Sequence, residues 1–324
     1  KKNDPTADYI FYLPFDRYNN AKKFISLVEP KMVFWVKYDF WFFYLNQLKK
    51  QQIPVFLISA LYRNDQLFFK WYGKFYLNML QSFKHIFCQT QSAASLIQSY
   101  GINNVSVSGD TRYDNVIERS KNIKIDLIIE EFCKANSFVI VAGSSYKPEE
   151  ELLKHVLIKL KGKIKIIVAP HFVSPSRIDE IKTTFNRFNY QVLSQSSSLN
   201  SNTDVLIIDS IGKLIGAYKY AKLAFVGGGF NKGNLHNILE PAVFGLPICF
   251  GPEIDRFPEA CILFDNKLAF KVKDSTTLLT FIESYLNDNN KLAEDKMKIQ
   301  NFVYDNHGSA QKIIDKLKYD FSLL

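Results

Sequence analysis

The chain has 324 residues, of which 47% are hydrophobic and 23% charged, with 14 Gly and 11 Pro. These proportions belong to a globular protein and exclude a disordered or collagen-like one, and the length suits two domains of about 150 residues each. No run of 18 apolar residues occurs, which excludes a membrane-spanning helix within the sequence. Cys88, Cys133, Cys249 and Cys261 lie far apart with no C-x-x-C, so neither a disulfide framework nor a zinc site is indicated, and a reducing compartment is the simpler reading.

Net charge is +9, unevenly spread: residues 1–120 hold 15 Lys and Arg against 9 Asp and Glu. Aromatics reach 15%, with 28 Phe. A basic, aromatic first half suits an anionic partner (nucleic acid, a phospholipid surface or a phosphorylated substrate), or it reflects a Lys-rich source. The sequence opens at Lys1 without Met and without a signal-peptide pattern, and residues 9–13 already read as a strand, so a start inside a domain is expected.

In chain order, strand-like runs fall at 9–13, 32–37, 54–60, 84–89 and 104–108, separated by amphipathic segments at 18–29, 41–51, 67–82 and 91–100. Residues 123–136 read as helix. A second series of strands follows at 138–142, 164–169, 190–193, 205–208, 223–226 and 247–250. Helices are predicted at 149–161, 175–188, 211–221, 237–244 and 256–264, a polar loop at 194–203, and helix from 275 onward. Strand–helix units of about thirty residues imply parallel sheets covered on both faces. The expected fold class is α/β, with two doubly wound domains and a helical tail, divided as 1–122, 123–305 and 306–324.

Ligands in such folds bind beyond the carboxyl ends of strands, so the residues just after each strand are the candidates, and the space between two such domains is the default site. After 138–142 come Gly143-Ser144-Ser145 and a helix carrying Glu149, Glu150 and Glu151. This is either a phosphate cradle at a helix start or a capped helix with acids placed for its dipole. Pro170-His171 follows 164–169, where the His is a phosphate or base donor or a structural residue. Asp209-Ser210-Ile211-Gly212-Lys213 follows 205–208, with free N–H groups and a cation, or with ordinary capping.

The most specific stretch is Gly227-Gly228-Gly229, followed by His236-Asn237-Ile238-Leu239-Glu240-Pro241. Consecutive glycines admit a ligand or another backbone at close range, and Glu240 can accept ribose hydroxyls near a helix start that faces phosphate. Neither a Walker A loop, a G-x-G-x-x-G, a D-x-D, a zinc motif nor a G-x-S-x-G elbow occurs, so a metal-dependent mechanism is not expected. Lys37 and Arg112 place cations after the strands at 32–37 and 104–108, able to stabilise developing phosphate charge or simply exposed and ion-paired. The aromatic runs 34–44 and 68–76 read as core rings or, for the Lys-flanked second run equally, as a membrane-facing surface.

Taken together, Tyr12-Leu13-Pro14-Phe15-Asp16, Asp39-Phe40-Trp41, Ser59-Ala60, Gly109-Asp110-Thr111-Arg112-Tyr113-Asp114, Ala142-Gly143-Ser144, Asp209-Ser210-Ile211-Gly212, Phe225-Val226-Gly227-Gly228 and His236-Asn237-Ile238-Leu239-Glu240-Pro241 resemble the Kdo transferases of lipopolysaccharide synthesis, in register along nearly the whole chain. The resemblance implies a GT-B fold, two Rossmann-like domains facing a cleft. It also implies inverting, metal-independent transfer of 3-deoxy-D-manno-oct-2-ulosonic acid (Kdo) from CMP-Kdo to a lipid A precursor, with no cofactor and no nucleic-acid partner.

By position, the resemblance implies that Pro170, His171, Ile211, Gly212, Lys213, Asn237, Ile238, Leu239 and Glu240 bind CMP. Gly143, Ser144, Gly228, Gly229 and His236 are candidate phosphate or sugar contacts. Arg112 stands where the family has a transition-state Lys. Lys37 stands where many members have a Glu, with the sign reversed, and the family's Pro-Arg-His is shortened to Pro-His. The family's membrane anchor and its Gly-Glu motif bearing the catalytic base are expected upstream of Lys1. The implied location is the cytoplasmic face of the bacterial inner membrane, on a membrane surface.

Overall fold

The computed structural model describes residues 7–37, 40–134, 138–231 and 234–322, and its contacts divide the chain into two units. The first comprises Lys1–Thr111 with His307–Leu324, the second Arg112–Asn306. The sequence reading divided the chain at 122/123 and 305/306. Tyr38, Asp39, Asn136, Lys232 and Gly233, which belong to predicted segments or motifs, lie outside the described residues.

The first unit runs α1 (Tyr18–Val28), β1 (Val33–Val36), α2 (Phe42–Lys50), β2 (Val55–Ala60), α3 (Lys74–Leu80), β3 (His85–Cys88), α4 (Gln91–Gln98) and β4 (Val105–Val107). Its four strands are parallel, in the order β1-β2-β3-β4. The β2 run Pro54–Ala60 is apolar but for Ser59 because helices cover both its faces. The segment predicted as one helix at 67–82 is instead a 3-10 turn, Leu67–Phe69, and α3. Gly73 marks the break, where a Cβ would stand 2.2 Å from the Leu67 carbonyl oxygen.

The strand predicted at 9–13 does not form. These residues pair with no strand among the described residues and leave Tyr12 92% exposed. Side chains hold the segment instead. Tyr44 Oη donates to the Pro14 carbonyl (3.0 Å), and the Asp16 carboxylate accepts from the Phe43 N–H at the start of α2 (3.0 Å). Aromatic alternation mimicked a strand where the rings in fact lean on α1, as in the edge-on contact of Phe11 with Phe24.

The second unit runs α5 (Thr111–Lys121), α6 (Leu127–Lys134), β5 (Phe138–Ser145), α7 (Lys147–Lys159), β6 (Ile164–Pro170), α8 (Pro175–Thr184), β7 (Tyr190–Val192) and β8 (Val205–Ile207). It continues with α9 (Leu214–Tyr220), β9 (Leu223–Val226), α10 (Leu239–Ala242), β10 (Ile248–Phe250), α11 (Pro258–Asp265), β11 (Ala269–Lys271), α12 (Ser275–Leu286) and α13 (Asn289–Asp305). Seven parallel strands lie in the order β11-β10-β9-β5-β6-β8-β7. β11 was not foreseen, and α9 and α10 are shorter than predicted.

β5 shows why residues 138–142 are continuously apolar. Ile140 and Ala142 face Leu153 and Leu157 of α7 and Leu278 of α12, while Val139 and Val141 face Ile129 and Phe132 of α6 and Tyr218 of α9. Each such side chain contributes roughly 1.5–3 kcal/mol by leaving water. Helix starts are set by capping: Ser174 Oγ accepts from Arg177 N–H ahead of Pro175, and Asp274 accepts from Thr277 N–H.

The last helix, α14 (Ser309–Phe321), packs on the first unit. Ile313 and Leu317 cover Phe56 of β2 and Phe87 of β3, and the Phe321 ring meets Phe56 at 5.3 Å. Among the described residues no helix is long and apolar enough to cross a membrane.

Candidate functional site

In the second unit the connections reverse at β5, which has β6 on one side and β9 on the other. The crevice of a doubly wound sheet lies beyond the carboxyl ends of the strands at such a point. Three of the sequence candidates come from those ends. Gly143-Ser144 closes β5, Pro170-His171 closes β6, and Gly227–Gly229 leaves β9. Backbone bonds knit them together: Gly227 N–H donates to Gly143 O (2.9 Å), His171 N–H to Ser145 O (3.1 Å), and His236 N–H to Gly227 O (3.1 Å).

The glycines answer a question that the sequence left open. A Cβ on Gly227 would stand 2.1 Å from the Ser144 oxygen, one on Gly228 2.1 Å from the Asn234 oxygen, and one on Gly229 2.6 Å from the Gly251 nitrogen. Here the close approach is of backbone to backbone. Gly228 also has φ +91°, in the left-handed region. Its N–H donates to the Glu149 carboxylate at 2.8 Å, and the other Glu149 oxygen accepts from Tyr146 N–H at 3.1 Å. Glu149 is buried, and that burial raises its pKa against the opposing backbone N–H bonds. The Glu149 carboxylate thus caps the start of α7 through the Tyr146 N–H.

Above this framework three rings gather. Tyr146 Oη lies 3.0 Å from His236 Nε2, with the rings stacked at 5.6 Å and 19°. His171 stacks on His236 at 4.2 Å and 27°, and Phe172 stands edge-on to His171 at 4.4 Å. His236 is half-buried, and burial first, then the neighbouring His171, pushes its pKa down to about 4. His171 is exposed. At neutral pH the pair therefore presents a neutral imidazole backing an accessible one. Ser144, at φ 51°, sits beside them in a conformation that non-glycine residues seldom adopt.

Glu240 lies in the first turn of α10, largely buried, with Oε1 accepting from Arg119 of α5 at 3.0 Å. Its second oxygen and remaining lone pairs leave capacity for a ligand hydroxyl. Tyr218 adjoins the same region. A Cβ on Gly143 would stand 1.7 Å from Tyr218 Oη, and burial, then the charge of Glu240, raises the Tyr218 pKa. Asn237 caps locally, its Oδ1 accepting from Leu239 N–H at 3.1 Å. Ile238 and Leu239 point into the core, so only their backbone can serve a ligand.

The remaining candidates have surroundings of their own. Ile211 is 93% exposed and Gly212 takes φ +91°, while Lys213 donates to Asp126 at 3.0 Å. Arg112 donates to the buried Glu259 at 2.8 Å. Lys37 belongs to the first unit, where it ends β1 at φ 59° with its N–H bonded to Ile58 O (3.0 Å). Sequence reasoning missed Tyr146, Arg119 and Glu259. Tyr146 follows Gly143-Ser144-Ser145 directly and its position could have revealed it. The other two act through long-range pairing that no local pattern announces.

A family model described as 3-deoxy-D-manno-octulosonic-acid transferase (kdotransferase) matches residues 1–115. The 3-deoxy-D-manno-octulosonic acid transferase of Rickettsia typhi is 26% identical over 318 residues, 94% of this chain and 66% of that protein. The Haemophilus influenzae protein of the same name is 26% identical over 325 residues, 95% of this chain and 74% of that protein. The chain thus spans about two thirds of the length of these relatives. Among solved structures, the UDP-GlcNAc 2-epimerase of Neisseria meningitidis superposes with a TM-score of 0.63 at 17% identity, covering 93% of this chain and 79% of that one. That likeness concerns the fold, which is of GT-B type, with a Rossmann-like sheet in each unit. The matches over the first 115 residues and along some 95% of the chain converge on one kind of protein, the 3-deoxy-D-manno-octulosonic acid transferases, to which the chain is similar.

Proposed function

We propose that the chain serves the transfer of Kdo from CMP-Kdo to a lipid A precursor, with inversion and without a resident metal, in lipopolysaccharide core synthesis at the cytoplasmic face of the inner membrane. The observation that carries the reading is the alignment with Kdo transferases through both units. The chemistry of the second unit supports it. His171, Ser144 and His236 offer donors to a phosphate, and Glu240 offers acceptor oxygens to ribose hydroxyls. The backbone of Ile211–Lys213 and of Asn237–Leu239 frames the nucleotide.

Departure of CMP leaves negative charge on its phosphate, and a fixed cation nearby lowers the barrier by stabilising charge that grows in the transition state. Arg112 is assigned that part, with Glu259 orienting its guanidinium. The acceptor hydroxyl requires a general base, and none of the residues above is given that role. Lys37 is cationic where the family resemblance has a Glu, so it is not given it either.

The first unit carries features suited to an acceptor with phosphates and acyl chains. Trp71 is 94% exposed beside exposed Tyr72 and Phe75, with Lys70 and Lys74 among them, a combination that favours an anionic bilayer surface. An apolar cavity of about 350 Å³ lies between Phe24, Val28, Phe34, Trp35 and Trp41.

Calorimetric titration tests the donor reading. CMP is expected to bind and to outcompete UMP and UDP. Glu240→Ala is expected to weaken CMP binding by about ten- to a hundredfold, the weight of hydrogen bonds to a charged group. UMP binding as tightly as CMP, or an undiminished Glu240→Ala variant, would sink the reading.

A further inference from the structure

The ring cluster contains a residue whose part is not accounted for by nucleotide contact. Tyr146 stands at the start of α7, its N–H held by Glu149 and its ring stacked on His236, with Oη 3.0 Å from Nε2. A neutral imidazole has one donor and one acceptor nitrogen, and the partner of one nitrogen decides which. A phenol is the better donor, and the half-buried site disfavours a proton on both nitrogens of His236. Tyr146 and His171 are the titratable groups in contact with the ring, and the buried Glu149 carboxylate is taken up by backbone N–H groups. No described residue bonds to His236 Nδ1 or to either ring nitrogen of His171.

We propose that Tyr146 is a positioning residue: its hydroxyl donates to His236 Nε2 and fixes that imidazole as the neutral Nδ1–H tautomer, so that Nδ1–H is a preset donor for the anionic ligand. His171 stacks against this ring and faces the same ligand. This rests on the nucleotide reading above for the identity of the anion, but the tautomer itself is a property of the unliganded protein.

The test separates the two. Nitrogen-15 NMR of the unliganded protein at pH 7 is expected to show His236 Nε2 unprotonated and Nδ1 protonated. In Tyr146→Phe, which keeps the ring stack, the two tautomers should mix. CMP affinity should fall about fivefold in that variant, the weight of one hydrogen bond. His236→Asn, whose amide nitrogen reproduces Nδ1, should keep more CMP affinity than His236→Gln, whose amide reproduces Nε2. A protonated Nε2 in the parent overturns the assignment, as does a tautomer unmoved by Tyr146→Phe, or His236→Gln binding as well as His236→Asn. A parent that shows the fixed tautomer yet binds no CMP supports the Tyr146–His236 link while removing the nucleotide reading.

Discussion

Gly143 and Tyr218 meet so closely that one methyl group decides whether β5 and α9 can approach. A Cβ at Gly143 would lie 1.7 Å from Tyr218 Oη and 2.7 Å from Cζ, so one of the two must move. Gly143→Ala is expected to cost about 1–3 kcal/mol of stability, as overpacked cores do, measured by urea unfolding. Because Oη is the nearer atom, the same substitution in a Tyr218→Phe background should cost less. Equal costs in the two backgrounds would show that the contact is not the cause. The run of small residues at Gly143 and Gly227 was legible in the sequence, but the partner was not. Gly227 packs against a carbonyl 83 positions earlier, and Tyr218 looked like one more aromatic in an amphipathic segment.

At the scale of elements, the most legible parts are those whose local pattern and burial agree, β2 and β5 above all. The least legible are those fixed by a distant group. The acids opening α7 read equally as dipole partners or as bystanders to a phosphate, yet Glu150 is fully buried. Arg177 of α8 grips both its oxygens at 2.5 Å, and Ser145 Oγ donates to it at 2.7 Å. One carboxylate thus ties the end of β5, α7 and α8 together.

Removing one partner of a buried pair leaves the other charge stranded, so Arg177→Ala is expected to lose about 3–5 kcal/mol. The paired change Glu150→Leu with Arg177→Met should recover much of it. A loss under about 1 kcal/mol for the single variant would mean that water reaches Glu150. β11 escaped notice for a different reason: three residues between a helix end and a capped helix give too short a pattern to recognise.

For the whole molecule, alternation of strand and helix was enough to read two doubly wound units, but not to say where the final helix rests. Ile313 and Leu317 are an ordinary i, i+4 apolar pair, and what they cover, Phe56 and Phe87, lies in the first third of the chain. The start of α14 is seated with equal closeness, since a Cβ on Gly109 would stand 2.5 Å from Ser309 Oγ. His85 reports on this seat. Burial, followed by the charge of Lys316, lowers its pKa to about 4, with Asp320 opposing.

A neutral buried His contributes stability that is full above its ordinary pKa near 6.5 and is lost as pH falls from there toward 4, because the unfolded chain takes up the proton first. Removing residues 307–324 should therefore do two things. It should lower the stability of the first unit at neutral pH, seen as faster amide exchange in β2 and β3, and it should return the His85 titration toward its ordinary range. Unchanged exchange in those strands would show that α14 is a passenger.

That α14 belongs to the unit of β1 to β4 matters at the ribosome. When Thr111 has emerged, β1 to β4 have been made, yet Phe56 and Phe87 lack the cover of α14 until Ser309–Phe321 is made. At about 5–20 residues per second, the intervening stretch takes on the order of 10–40 s to synthesise. For that time the nascent chain exposes apolar side chains that the finished fold buries. The second unit is in this sense an insertion, made between β4 and the helix that covers β2 and β3.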